Sequence, residues 1–249
     1  MMQMHNIIEL ETIASTNEYA GKLLKVQQIP EGTIIFAREQ TAGRGQGKNK
    51  WESEPGKNLT FSMILFPHFL VPERQFYLNK VITLGILDFL AQLPIGEICS
   101  VKWPNDIYAG KGKLGGILIN NHISGNKFET CIAGIGINVN QEVFSPALPN
   151  PVSIKQLTGE EYQLRSVLES LADFINIRYQ QLESGILKFL DTDYRNHMLG
   201  IDSWQEYLLE GKVLKGKNKG VDETGRMLIE TLEGKTLPFH HGEIEFVLR

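Results

Sequence analysis

ICSVKWPNDIYAGKGKLGGILIN, residues 98–120, decides the fold. Ile98–Trp103 reads as a strand, and Pro104 stops it, because proline cannot donate to a ladder. Leu114–Asn120 reads as a second strand. The intervening PNDIYAGKGK reads as a hairpin turn carrying Gly110 and Gly112. Asn105 and Asp106 then project polar groups just past a strand end, unless they serve the turn alone. Gly115 and Gly116 weaken the strand they open, so something approaches the backbone there. A tight hairpin brings Asp106 and Lys113 to one strand end. Such a pair holds the charges of a phosphoryl-type reaction, or else is a surface ion pair worth under about 1 kcal/mol.

Working outward, Ile7–Ile13, Thr33–Ala37, Asn58–Phe66 and Thr130–Asn138 also read as strands. In the last, alternation turns Ile135, Ile137 and Val139 to one face and Gly134, Gly136 and Asn138 to the other. Two glycines and an amide on one face suit a flat ligand, or a strand packed under a helix. Ser15 to Glu18 fits a capping box that opens a helix reaching Leu24. Pro72–Gln92, Glu161–Glu183 and Ile186–Met198 follow helical spacing. After Gly200 come five short alternating segments split by glycine turns, the mark of a small β-barrel. The fold class is therefore α/β with a mixed sheet, residues 1–198, followed by a barrel, residues 199–249.

Residues 39–55, EQTAGRGQGKNKWESEP, cannot build a core and form a long loop. Gly43, Gly45 and Gly47 let backbone N–H groups approach an anion. Arg44 adds a bidentate donor, Lys48 and Lys50 add charge, and Trp51 offers an aromatic face. The plainer alternative is a solvated surface loop. The spacing matches neither a phosphate-loop nor a dinucleotide motif. Together the four segments, each putting glycine or amide groups at a strand end or on one strand face, imply a cleft for an anionic ligand with flat rings, such as a nucleotide.

Composition narrows the classes. The 249 residues hold 25 Lys plus Arg against 29 Asp plus Glu, a net charge of −4, which argues against a nucleic-acid binder. Hydrophobic residues at 42% and charged residues at 22% suit a packed globular protein. No apolar run approaches the roughly 20 residues of a membrane span, and the N-terminus carries no signal-like start. Cys99 and Cys131 make neither a disulfide framework nor a zinc site, so the expected home is the cytoplasm.

From about Thr12 onward the chain resembles the biotin–protein ligases, the biotin–[acetyl-CoA-carboxylase] ligases. The resemblance rests on Ser15-Thr16-Asn17, the Gly43-Arg44-Gly45 loop with Trp51, Lys102-Trp103-Pro104-Asn105-Asp106, Lys113-Leu114-Gly115-Gly116-Ile117 and Gly136-Ile137-Asn138, in that order. It implies a catalytic domain like that of class II aminoacyl-tRNA synthetases, followed by an SH3-like barrel. It implies a reaction in which biotin and MgATP give biotinyl-5′-AMP, which a lysine of a biotin carboxyl carrier domain then attacks. By resemblance Ser15, Thr16, Asn17 and Gln40 form the biotin pocket. Arg44, Gly45 and Gln46 contact the carboxylate or the adenylate phosphate. Trp51 packs on the adenine, Lys102 faces the ATP phosphates, and Asn138 reads the adenine. Gly115 and Gly116 let the biotin rings lie on the strand. Lys113 meets the carboxylate–phosphate junction with Asp106 beside it. Lys113, Asp106 and Arg44 are the expected catalytic set, with no protein-held metal.

Two departures stand out. Gln46 and Asn49 stand where the family often carries arginine, so Lys48 or Lys50 is left to hold the adenylate. Only fourteen residues precede Ser15, too few for the DNA-binding domain of some members, so the expectation is an enzyme that is not a repressor. Monomer and homodimer are both compatible with the resemblance. The rivals are a lipoate–protein ligase and a non-catalytic biotin or carrier binder.

Overall fold

The hairpin at residues 98–120 is three strands rather than two. The computed structural model describes residues 5–247, so the first four residues of the N-terminal reading and Leu248 of the last expected strand lie outside it. Strands β4 (Cys99–Lys102), β5 (Asp106–Ala109) and β6 (Gly112–Ser124) run antiparallel in sequence order. Pro104-Asn105 makes the first turn, with Trp103–Pro104 cis, and Gly110 at φ +57° makes the second. The stretch expected as one long turn therefore holds two turns. The strand-forming Ile107 and Tyr108 between them are buried.

β1 (Ile7–Ile13), β2 (Ile34–Gln40), β3 (Leu59–Leu65) and β7 (Lys127–Ile137) complete a seven-stranded sheet in the order β1-β2-β3-β7-β6-β5-β4. Only β1 with β2 is parallel. The two faces are filled by alternate side chains. Ile34, Phe36, Phe61 and Ile135 face the main core, under α2 (Phe76–Leu90), α4 (Leu164–Glu183) and α5 (Leu187–Asn196). Ile35, Ile64 and Ile132 face α1 (Thr16–Leu23) through Ala20. Helix α2 is apolar on nearly all sides and is buried accordingly. A short helix, α3 (Ile154–Thr158), escaped the sequence reading, although Ser153 and Gln156 form a true capping box there.

The C-terminal strands β8 (Trp204–Leu209), β9 (Lys212–Val221), β10 (Met227–Thr231), β11 (Thr236–Phe239) and β12 (Ile244–Phe246) form one antiparallel sheet, ordered β11-β10-β9-β8-β12. Its Tyr207, Met227, Ile229 and Phe239 join the main core rather than a separate one. The β9–β10 turn is locked against α2, because a Cβ on Gly225 would lie 2.3 Å from the Phe76 ring. That docking brings the β11–β12 turn over the end of β4 and β5.

Candidate active site

The head of α1 is the first wall of the site, and it is built differently from a capping box. The Ser15 side chain makes no cap bond. Gln40, at the end of β2, instead accepts from the helix's first free N–H, that of Thr16, at 2.8 Å and from Thr16 Oγ1 at 3.1 Å. Glu18, the expected capping partner, pairs with Arg44 of the loop. Ser15 is thereby released to line the cleft. Ser62 of β3, absent from the sequence expectations, lies 2.7 Å from Thr16 Oγ1 and 2.5 Å from Asn17 Oδ1. Asn17 Nδ2 donates to Leu118 O at 3.1 Å. Thr16, Asn17 and Ser62 are buried and held by these bonds, and Ser15 is buried beside them.

The glycine-rich loop is folded rather than loose. Arg44 bridges Lys50, Gly45 N donates to Asn49 O at 2.8 Å, and Trp51 N to Gly43 O at 3.1 Å. Glycine is required at 43, where a Cβ would lie 2.4 Å from Trp51 O. The Trp51 indole lies in the cleft against Gly136, whose added Cβ would fall 2.4 Å from Cε2. Its Nε1 is buried without a hydrogen-bond partner. An unpartnered donor on a flat ring in a cleft fits a ligand that offers a stacking face and an acceptor.

At the far end, Lys113 Nζ lies 2.7 Å from Asp106 Oδ1, and both are partly buried. The three-stranded turn structure creates this pair, since Asp106 opens β5 opposite Lys102 and Gly116. Lys102 Nζ stands 5.5 Å from the Tyr108 ring centroid and 5.8 Å from that of Phe246. Burial holds its pKa below the usual lysine value; Asp106 and Glu245 oppose that shift and Lys113 adds to it. A desolvated lysine is primed for an anion that restores its partner.

These walls enclose one cavity of about 360 Å3. It gathers Ser15, Thr16, Asn17, Gln40, Arg44, Gly45, Gln46, Trp51, Lys102, Asp106, Lys113 and Gly116. Arg44, Lys50, Lys102 and Lys113 face two carboxylates there, Asp106 and Glu245, so the lining favours an anion. Lys50 lines the cavity together with Gln46 and Asn49; Lys48 and Lys111 do not. Among the described residues no cluster of three His, Cys, Asp or Glu could hold a metal.

Two expected residues lie outside the cavity. Gly115 turns away from it, because a Cβ there would meet Ile137 Cδ1 at 2.5 Å; that glycine serves strand packing. Asn138 spends its amide hydrogens on Val152 O at 3.1 Å and Lys113 O at 3.4 Å. It steadies the Lys113 backbone from just behind the cavity wall. Asn105 likewise ties β6 through Ile117 O at 2.6 Å. The sequence reading also missed His241, Ile244, Glu245 and Phe246, which the barrel delivers to the rim. Linear sequence held no signal for them, because only tertiary docking brings them near.

Comparison with known proteins agrees with this architecture. Residues 9–138 match the biotin/lipoate A/B protein ligase family, and the chain belongs to that family. Residues 207–247 match the biotin protein ligase C-terminal domain, which favours the biotin enzymes within it over the lipoate ones. The bifunctional ligase/repressor BirA of Bacillus spizizenii is 30% identical over 239 residues, covering 92% of this chain and 70% of that protein. A biotin–[acetyl-CoA-carboxylase] ligase of Paracoccus denitrificans is 30% identical over 175 residues, 64% of this chain and 68% of its own length. The structure of biotin protein ligase from Aquifex aeolicus in complex with biotin and ATP superposes with a TM-score of 0.80. It is 30% identical, with 98% of this chain and 99% of that one covered.

Proposed function

We propose that the protein is a biotin–[acetyl-CoA-carboxylase] ligase. It activates biotin with MgATP as biotinyl-5′-AMP and passes the biotinyl group to a lysine of a biotin carboxyl carrier domain. The observation that carries this reading is one cavity holding a fixed amide-and-hydroxyl wall at one end and Lys102, Asp106 and Lys113 at the other. The first end suits a neutral ureido ring and the second an acyl-phosphate. Residues 1–198 act as the catalytic domain and residues 199–249 as the barrel that closes its rim. The cytoplasm is the proposed compartment, which the two free, buried cysteines support.

The first step joins two anions, so it needs cations at the junction. Lys113 and Arg44 stand there to neutralise the biotin carboxylate and the α-phosphate. Lys102 draws the departing pyrophosphate. Asp106 holds the Lys113 ammonium in place between turnovers. Trp51 covers the nucleotide and excludes water from the mixed anhydride. Mg2+ brought in with ATP would supply charge neutralisation on the phosphates, and Asp106 and Glu245 are the carboxylates that line the cavity beside them.

Incubation with biotin, MgATP and a biotin carboxyl carrier domain tests the proposal. Mass spectrometry is expected to find one biotinyl group on one carrier lysine, and none without ATP. Labelling of the carrier by lipoate but not biotin overturns it.

A further inference from the structure

Two cavities meet at the turn between β11 and β12. The cleft described above shares a wall with a second cavity of about 320 Å3, and that wall includes Trp103, Pro104, Asn105, Ile117, Leu118 and His241. The second cavity runs outward past Phe76, Gly225 and Arg226. His241 is the one imidazole lining the main cleft among the described residues. Its turn is braced, with His240 N donating to Glu243 Oε2 at 2.7 Å and Glu243 N to His240 O at 3.2 Å. The His241 ring stands edge-on to Trp103 with centroids 6.0 Å apart. Trp103 in turn donates Nε1 to Gly225 O at 2.9 Å, so the ring against which His241 stands is held.

The transfer half of the proposed reaction needs a proton acceptor at such a junction. The acceptor lysine arrives as an ammonium, pKa about 10.4, with no lone pair to attack. Asp106 is occupied by Lys113. Carboxylates are ordinarily weaker bases than imidazole. The charged and titratable groups that line the two cavities with His241 are Arg44 and Lys50 on the loop, Lys102 on β4, Asp106 on β5, Lys113 on β6, Glu245 on β12, and Arg226 and His240 on the barrel turns. Burial holds the imidazole below its ordinary pKa; Asp106 opposes that and Lys102 adds to it. It is therefore neutral, and able to accept a proton, at pH 7.

We propose that His241 is the general base of biotinyl transfer, receiving the proton of an acceptor lysine that enters through the second cavity. The proposal rests on the ligase reading above. One Nζ–H bond breaks and its proton passes to an imidazole nitrogen. The freed lone pair forms the C–N bond to the biotinyl carbonyl carbon. The C–O bond to phosphate breaks, and AMP leaves with its electron pair. The remaining excess proton on nitrogen passes to an AMP phosphate oxygen. His241 is exposed to solvent and returns its proton to water.

His241→Ala and His241→Gln test this with the two half-reactions measured apart. Pyrophosphate release from ATP and biotin reads adenylation. Single-turnover mixing of preformed biotinyl-5′-AMP with a carrier domain reads transfer. The alanine variant is expected to slow transfer about tenfold or more beyond any change in adenylation. Added imidazole restores it, and glutamine does not. The low-pH limb of wild-type transfer, centred below about 6.5, disappears. Equal loss in both half-reactions, unchanged transfer, or rescue by glutamine overturns the proposal. Wild-type protein that releases no pyrophosphate overturns the ligase reading, and the proposal with it.

Discussion

Gly134→Ala probes how rigid the polar wall at the head of α1 is. The added Cβ would lie 2.5 Å from Asn17 Oδ1 and 2.8 Å from Cγ. Ordinary van der Waals contact requires Asn17 to retreat by roughly 1 Å. It has no slack, because Ser62 holds Oδ1 at 2.5 Å and Leu118 O holds Nδ2 at 3.1 Å. Overpacking costs about 1–3 kcal/mol, and each strained hydrogen bond about 0.5–1.5 kcal/mol more. With two such bonds, a total of about 2–6 kcal/mol lowers Tm by roughly 4–20 °C in a domain of this size. Thermal unfolding reads that shift, and calorimetry reads a loss of biotin affinity, expected at about tenfold or more. Gly136→Ala is the contrast. Its Cβ meets the Trp51 indole at 2.4 Å, the end of a loop side chain that can swing away. Its Tm is expected to fall by less than half as much. A Gly134→Ala protein with wild-type Tm and wild-type biotin affinity refutes the reasoning, since the wall would then yield freely.

Lys113→Ala is expected to cut pyrophosphate release by about 10²–10³-fold. Its Tm should stay within about 2 °C of wild type, because the pair with Asp106 is partly open to solvent. Trp51→Ala should weaken ATP more than biotin in calorimetry; equal loss for both would argue against stacking on the nucleotide. Lys102→Met should raise stability at pH 7 while weakening ATP. The sign follows from burial, which lowers the folded-state pKa of Lys102. Between that lowered value and about 10.4 the unfolded chain binds more protons, so this lysine's penalty shrinks as pH rises. Urea unfolding against pH should show that rise in wild type and not in the methionine variant.

Much of this was legible from local pattern. β1 spans Ile7–Ile13 as alternation predicts, and α4 buries Leu168, Leu171, Ile175, Tyr179 and Leu182 as their spacing predicts. The Asp106–Lys113 pair follows from turn chemistry and strand spacing. Misreadings arose where a local rule met a tertiary competitor. Ser15 and Glu18 have capping-box spacing, yet Gln40 takes the helix N–H and Arg44 takes the carboxylate. Pro104, Asn105 and Gly110 are all turn formers, and they masked the four-residue strand between the two turns. Adjacent glycines 115 and 116 look equivalent in sequence, but strand alternation sends one to the core and the other to the cleft. The barrel's share of the site depends on Gly225 docking against Phe76, a contact 149 positions apart in the chain.

The central claim is that this cavity joins biotin to AMP. Pyrophosphate release measured with MgATP and either biotin or lipoate tests it most directly. The account predicts release with biotin, little with lipoate, and loss of the biotin signal in Lys113→Ala. Release with lipoate alone, or with neither acid, would contradict it.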